Sequence, residues 1–166
     1  MKIVCAIDSF KESLSSRRAA SLAEEEARKI FPESEVVGLG VADGGEGTAD
    51  AVLAACGGKP REAIVQDPLG RPIAARYGIL SDGTAVIEMA AASGLTLVPE
   101  GERDPLRATT FGTGQLILDA LNQGANAIVL GLGGSATNDA GTGALEAMGV
   151  RFRDAAGNSL RGNGEN

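Results

Sequence analysis

Residues 127–143 read AIVLGLGGSATNDAGTG, and the fold turns on how that stretch is read. Ile128-Val129-Leu130 is a β-rich apolar run of the kind that fits a buried strand. Gly131, Gly133 and Gly134 follow, where the backbone turns sharply or comes close to something. Ser135, Thr137, Asn138 and Asp139 are then all good helix N-caps. A strand feeding a glycine turn and a helix start leaves free backbone N–H groups beside the positive end of a helix dipole. That is a ready site for an anionic phosphate. The same grammar occurs at Val41-Ala42-Asp43-Gly44-Gly45-Glu46-Gly47-Thr48, so the sequence predicts two such loops.

On the N-terminal side, residues 3–7 read as a first strand and Ser13 as the cap of a helix running to about Phe31, just before Pro32. Glu24-Glu25-Glu26 reads as solvated helix surface. A strand over 36–41 and a helix over 48–56, stopped by Gly57-Gly58, complete a β-α-β-α order that argues for a parallel sheet. The pattern then changes to strands over 62–66, 73–80 and 85–89 with turn sequences between them, an antiparallel meander. One helical turn is expected near Ala90–Leu95, and the polar stretch 99–105 reads as a domain boundary. Beyond it, Thr110 or Thr113 caps a helix to Asn122, a short helix covers 140–148, and a last strand begins at 150–153 with no element completed after it. The expected class is α/β: a parallel, doubly wound-like sheet with an antiparallel meander at 62–89 inside a first domain, 1–100. The start of a second, Rossmann-like α/β domain is expected over 106–166, truncated at its end.

The 166 residues allow one domain with a real core or parts of two. A net charge of -7, no long basic run and 3% aromatics argue against a nucleic-acid partner. The sequence has no histidine, so Ser-His-Asp and Cys-His catalysis and histidine-ligated zinc are excluded for this chain, and proton transfer falls to Asp, Glu, Lys or Tyr. Cys5 and Cys56 read as packed small hydrophobes in a reducing compartment. The N-terminal apolar run is too short for a signal sequence, and the uncharged stretch 120–138 is broken by Asn, Gln and Gly, so a cytoplasmic location without a membrane span is expected.

Asp8, Asp43 and Asp139 each follow a predicted strand, where ligands of open α/β sheets bind; taken singly, each reads equally as a turn former. Lys11 lies near a helix start, where a cation gains nothing from the dipole unless an anion sits between them. Glu88 is the lone charge in 85–92 and reads either as a half-exposed strand position or as a site carboxylate. Gly131, Gly133 and Ala136 also match G-x-G-x-x-A, with Asp154 18 residues beyond Ala136, which makes a dinucleotide-binding oxidoreductase a rival reading. The P-loop pattern is absent.

Four motifs in order resemble those of the bacterial glycerate kinase family. They are Asp8-Ser9-Phe10-Lys11-Glu12-Ser13-Leu14, the 41–48 loop, Glu88-Met89-Ala90-Ala91-Ala92-Ser93-Gly94-Leu95, and Gly133-Gly134-Ser135-Ala136-Thr137-Asn138-Asp139. The resemblance covers nearly the whole chain. It implies ATP-dependent phosphorylation of D-glycerate with Mg²⁺, the 2-phosphate product favoured, and a cleft between two α/β domains. Family members are more than twice this length, so a fragment is expected. As a fragment it is expected to associate as a homodimer or through exposed apolar surface, and a non-catalytic association module is the third reading. With phosphoryl transfer as the chemistry, Asp8, Lys11 and Asp43 are the catalytic candidates. Ser9, Gly44, Gly45, Glu46, Gly47, Thr48, Glu88 and Ser93 are candidates for glycerate or phosphate, and Gly131, Gly133, Gly134, Ser135, Asn138 and Asp139 for nucleotide. Asp43 or Asp139 would hold Mg²⁺. Asp8 is the candidate base, and these roles can be exchanged among the aspartates.

Overall fold

A computed structural model describes residues 1–10 and 13–165. Lys11 and Glu12 of the first motif, and Asn166, lie outside the described residues. The chain opens with β1 (Lys2–Ile7), α1 (Ser16–Ile30) and β2 (Glu35–Gly40), a parallel strand pair joined by its crossover helix. Gly38 allows α1 to lie directly on this pair, because a Cβ there would stand 2.6 Å from the Ala20 carbonyl oxygen. The cap of α1 is Ser15, not Ser13: its hydroxyl accepts from the Arg18 N–H. Glu24 is not idle surface either, since its carboxylate accepts the Gly38 N–H at 2.9 Å and so ties α1 to β2.

Helix α2 (Thr48–Cys56) keeps its expected bounds and ends at Gly57, whose φ of 74° an L side chain rarely adopts. The meander follows as β3 (Lys59–Gln66), β4 (Pro72–Ile79) and β5 (Thr84–Glu88). Beyond α3 (Ala90–Ser93) and α4 (Phe111–Asn122), β6 (Ala127–Gly131) pairs with β5 in parallel, from Thr84↔Ala127 to Glu88↔Gly131. The result is one mixed sheet in the order β3-β4-β5-β6, separate from β1-β2. The meander is therefore not a closed unit, and the hydrogen-bonded sheet runs across the boundary expected at 99–105. That segment is itself pinned to the meander: Arg71 bonds the buried Asp67 at 2.6 Å and Glu102 at 3.0 Å.

Helix α4 covers the large sheet, and Val65, Tyr77, Ile87, Leu116 and Ala120 meet in the core between them. Tyr77 keeps its hydroxyl satisfied on Asp119 at 2.7 Å, and burial pushes its pKa above the ordinary tyrosine value. The short α5 (Thr142–Ala147) packs on α4. The last strand does have a partner: β7 (Phe152–Arg153) and β8 (Ser159–Leu160) form an antiparallel hairpin. Cys5 is half-buried, but Cys56, the last residue of α2, is exposed. Among the described residues no helix is long and apolar enough to cross a membrane.

Candidate functional site

Three strand exits meet through their backbones. The N–H of Gly133, after β6, donates to the Gly44 carbonyl, after β2, at 3.0 Å. A Cβ on Gly131 would collide with that same carbonyl, and one on Gly133 would lie 2.7 Å from the Gly45 Cα. Only glycine permits this approach, which gives a physical reason for the paired glycine clusters. The exit of β5 is stitched in by Met89 N–H to Gly131 O, Leu95 N–H to Gly134 O and Ala136 N–H to Ser93 O, each at 2.9 Å. The exit of β1 adjoins that of β2, with the Val41 N–H donating to Ile7 O at 3.1 Å. The described parts of the four motifs thus meet in one connected region at the C-terminal ends of strands, where open α/β proteins place ligands.

The helix starts in this region are not vacant anion sites. Glu88, at the end of β5, is buried, and its carboxylate accepts the Ala49 N–H at 2.6 Å, capping α2 from across the sheet. Burial is the largest influence on Glu88 and raises its pKa; the Ala49 and Gly47 N–H groups oppose this, while the charges of Asp50 and Glu46 add to it. Asp139 is buried as well. Its Oδ2 accepts from the Thr110 N–H and hydroxyl, both at 2.8 Å, and from the Gly143 N–H at 3.1 Å, while Oδ1 accepts the Gly141 N–H at 3.1 Å. The Thr110 hydroxyl in turn accepts the Ala144 N–H at 2.9 Å. Asp139 and Thr110 together hold the N-termini of α4 and α5, and the helix expected directly after 139 begins at Thr142 instead. The protein supplies its own carboxylates where phosphate was expected at helix dipoles.

Ser93 is fully buried, and its hydroxyl is paired with that of Thr113 at 2.7 Å. The Thr48 hydroxyl donates back to Gly45 O at 2.8 Å. Ser135 and Thr137 hydroxyls bond each other at 2.8 Å. Asp43, Glu46 and Asn138 are exposed. Asp43 turns one oxygen to the Gly45 N–H at 3.0 Å, and the exposed Asp8 turns one to the Ser9 N–H at 2.7 Å, which leaves each carboxylate a second oxygen. Among the described residues the N–H groups of Gly44, Glu46, Gly134, Ser135 and Asn138 have no hydrogen-bond partner. These loop amides are what remains for an anion. Sequence reasoning misses Thr110: a threonine signals a helix cap, but the pairing of Thr110 with Asp139, 29 residues away, has no local signature.

The dinucleotide reading fails on local structure. Asp154 turns inward on its own loop, accepting from Ala156, Asn158 and the Asn158 side chain. No helix opens at Ala136, so the fingerprint lacks the element it requires.

A mixed α/β frame with amide-lined loops at strand exits is of the kind that handles anionic small molecules. The model of the glycerate kinase family matches residues 3–166, and the chain belongs to that family. It is 55% identical over 161 residues to the glycerate 2-kinase of Escherichia coli K12, and 51% identical over 161 residues to the glycerate kinase of Bacillus subtilis 168. Each match takes in 96% of this chain and 42% of the relative. A crystal structure from Salmonella typhimurium LT2 that carries the glycerate kinase 2 name superposes with a TM-score of 0.82 at 49% identity, over 99% of this chain and 45% of that one. The chain therefore spans less than half the length of these relatives.

Proposed function

We propose that this chain supplies part of the site of an ATP-dependent kinase that phosphorylates D-glycerate, at the 2-hydroxyl in preference to the 3-hydroxyl. Family membership supports the reaction class, and the name of the Escherichia coli relative favours the 2-position. The observation that carries the reading is the backbone contact between the 43–48 and 131–135 loops, which sets unpaired amides of both loops in one region. Phosphoryl transfer needs a donor and an acceptor held in line more than it needs covalent help from the protein.

In this mechanism Gly44 and Glu46 amides hold oxygens on the glycerate side, and Gly134, Ser135 and Asn138 amides hold nucleotide phosphate oxygens. The glycerate hydroxyl oxygen attacks the γ-phosphorus, the bond to ADP breaks, and Asp8 accepts the hydroxyl proton. Lys11 balances charge on the transferred group. Mg²⁺ commonly takes one or two carboxylates and completes its shell with phosphate and water. Asp43, exposed and with a free oxygen, fits that description; Asp139, whose oxygens are both occupied, does not. When bound, the ion would neutralise phosphate charge. Glu88 and Asp139 act as positioning groups. A doubly wound arrangement and a cytoplasmic location belong to the same proposal.

The test is a chimera in which this chain replaces its matched segment in the Bacillus subtilis relative, with D-glycerate turnover followed by ³¹P NMR. The expected product is 2-phosphoglycerate, and Asp8→Asn is expected to lower kcat by about 100-fold or more. Near-normal turnover by that variant removes Asp8 as the base, and a folded but inactive parent chimera removes the reaction.

A further inference from the structure

The loop after β6 roofs a cavity of about 420 Å³, which falls within the roughly 300–1,000 Å³ of small-molecule pockets. Its walls are carbon: Met89, Leu130, Leu132 and Ala144 line it. Its polar side chains are neutral or already engaged, and two lining residues, Ser135 and Asn138, have unpaired backbone N–H groups. Ser135 and Thr137 bond each other, Asp139 is saturated by N–H and O–H donors, and no Lys or Arg is among the described lining residues. The interior of such a cavity suits neither a triphosphate nor glycerate, because both are anions and it offers them no cation and only the Ser135 and Asn138 amides. It suits a group with apolar faces and a polar edge.

We propose that this cavity receives the purine base of the nucleotide, with the exposed Asn138 side chain and the Ser135–Thr137 hydroxyl pair at the base's edge and Leu132 against its face. The phosphates then lie at its rim, on the unpaired amides of Gly134, Ser135 and Asn138. This rests on the reading of the 131–139 loop as the nucleotide loop and specifies which end of the nucleotide enters the cavity.

Calorimetric titration of the chain with adenosine, ATP and inorganic tripolyphosphate separates the two statements. Leu132 is 67% exposed, so Leu132→Ala leaves the core intact. Adenosine is expected to bind and to compete with ATP, tripolyphosphate is expected not to displace adenosine, and Leu132→Ala is expected to weaken adenosine by about tenfold through lost apolar contact. Asn138→Ala is expected to weaken adenosine and leave tripolyphosphate unaffected. If ATP binds and tripolyphosphate displaces it, while adenosine fails to bind or ignores both substitutions, the cavity assignment is wrong and the nucleotide reading stands. If neither ATP nor adenosine binds, the nucleotide reading falls and takes the cavity with it.

Discussion

Two sheets of the molecule, β1–β2 and β3–β6, are covered differently. In the β3–β6 sheet, Ala85 and Ile87 are completely buried, packed in one core with Leu116 of α4. In the β1–β2 pair, α1 covers one face only, and on the other Val4 remains 52% and Leu39 49% exposed. Parallel strands are normally covered on both faces. The buried and heavily hydrogen-bonded part of the site is thus the β5–β6 side, with Glu88 and the Asp139–Thr110 latch. Asp8 and Asp43 hang from the thinner side, and the glycine contact between loops is the bridge.

Removing core volume should separate the two regions most sharply. Leu116→Ala is expected to cost about 2–5 kcal/mol, whereas Leu39→Ala on the open face should stay within about 0.5 kcal/mol. Denaturant midpoints of the two variants measure this, and equal losses would erase the distinction. The bridge comes next. Gly131→Ala drives a methyl into the Gly44 carbonyl and is expected to cost about 1–3 kcal/mol of overpacking strain, with amide exchange quickened in both loops. Exchange changing only around Gly131 would mean that the loops are not coupled.

A comparable or smaller loss is expected for Asp139→Asn. The amide cannot accept all the bonds the carboxylate takes from Thr110, Gly141 and Gly143, and a buried donor left without a partner costs about 1–3 kcal/mol. Urea unfolding monitored by circular dichroism reads it, and an unchanged midpoint would dismiss the latch. The smallest effect concerns pH. The folded-state pKa of Glu88 is raised, so its contribution to stability is full below the ordinary glutamate range and declines as pH rises through the raised value. Glu88→Gln keeps an oxygen for the Ala49 N–H and is expected to flatten that decline in melting temperature. A parallel pH profile in the variant would assign the dependence to another group.

Much of this was legible in the chain. The bounds of α2, the meander and the strand before Gly131 follow from apolar runs and glycine stops, which are local signals. The order of the four motifs along the sequence carried the family. What was not legible was pairing over distance. Nothing near Glu88 announces that it caps a helix 39 residues earlier, or near Asp139 that it binds Thr110. A carboxylate beside a glycine loop reads the same whether it faces a ligand or satisfies the protein's own amides. The crossing of the 99–105 boundary was hidden for a similar reason, because a polar turn-rich segment looks like a linker whether or not Arg71 ties it down.

If the 43–48 and 131–139 loops form one site for a nucleotide and glycerate, ATP and D-glycerate together should protect both. Hydrogen–deuterium exchange of the chain with and without the two ligands reads this. Slowed exchange is expected at Gly44, Glu46, Gly134, Ser135 and Asn138, and little change in β3 or the β7–β8 hairpin. Protection confined to one loop, or located away from both, would contradict it.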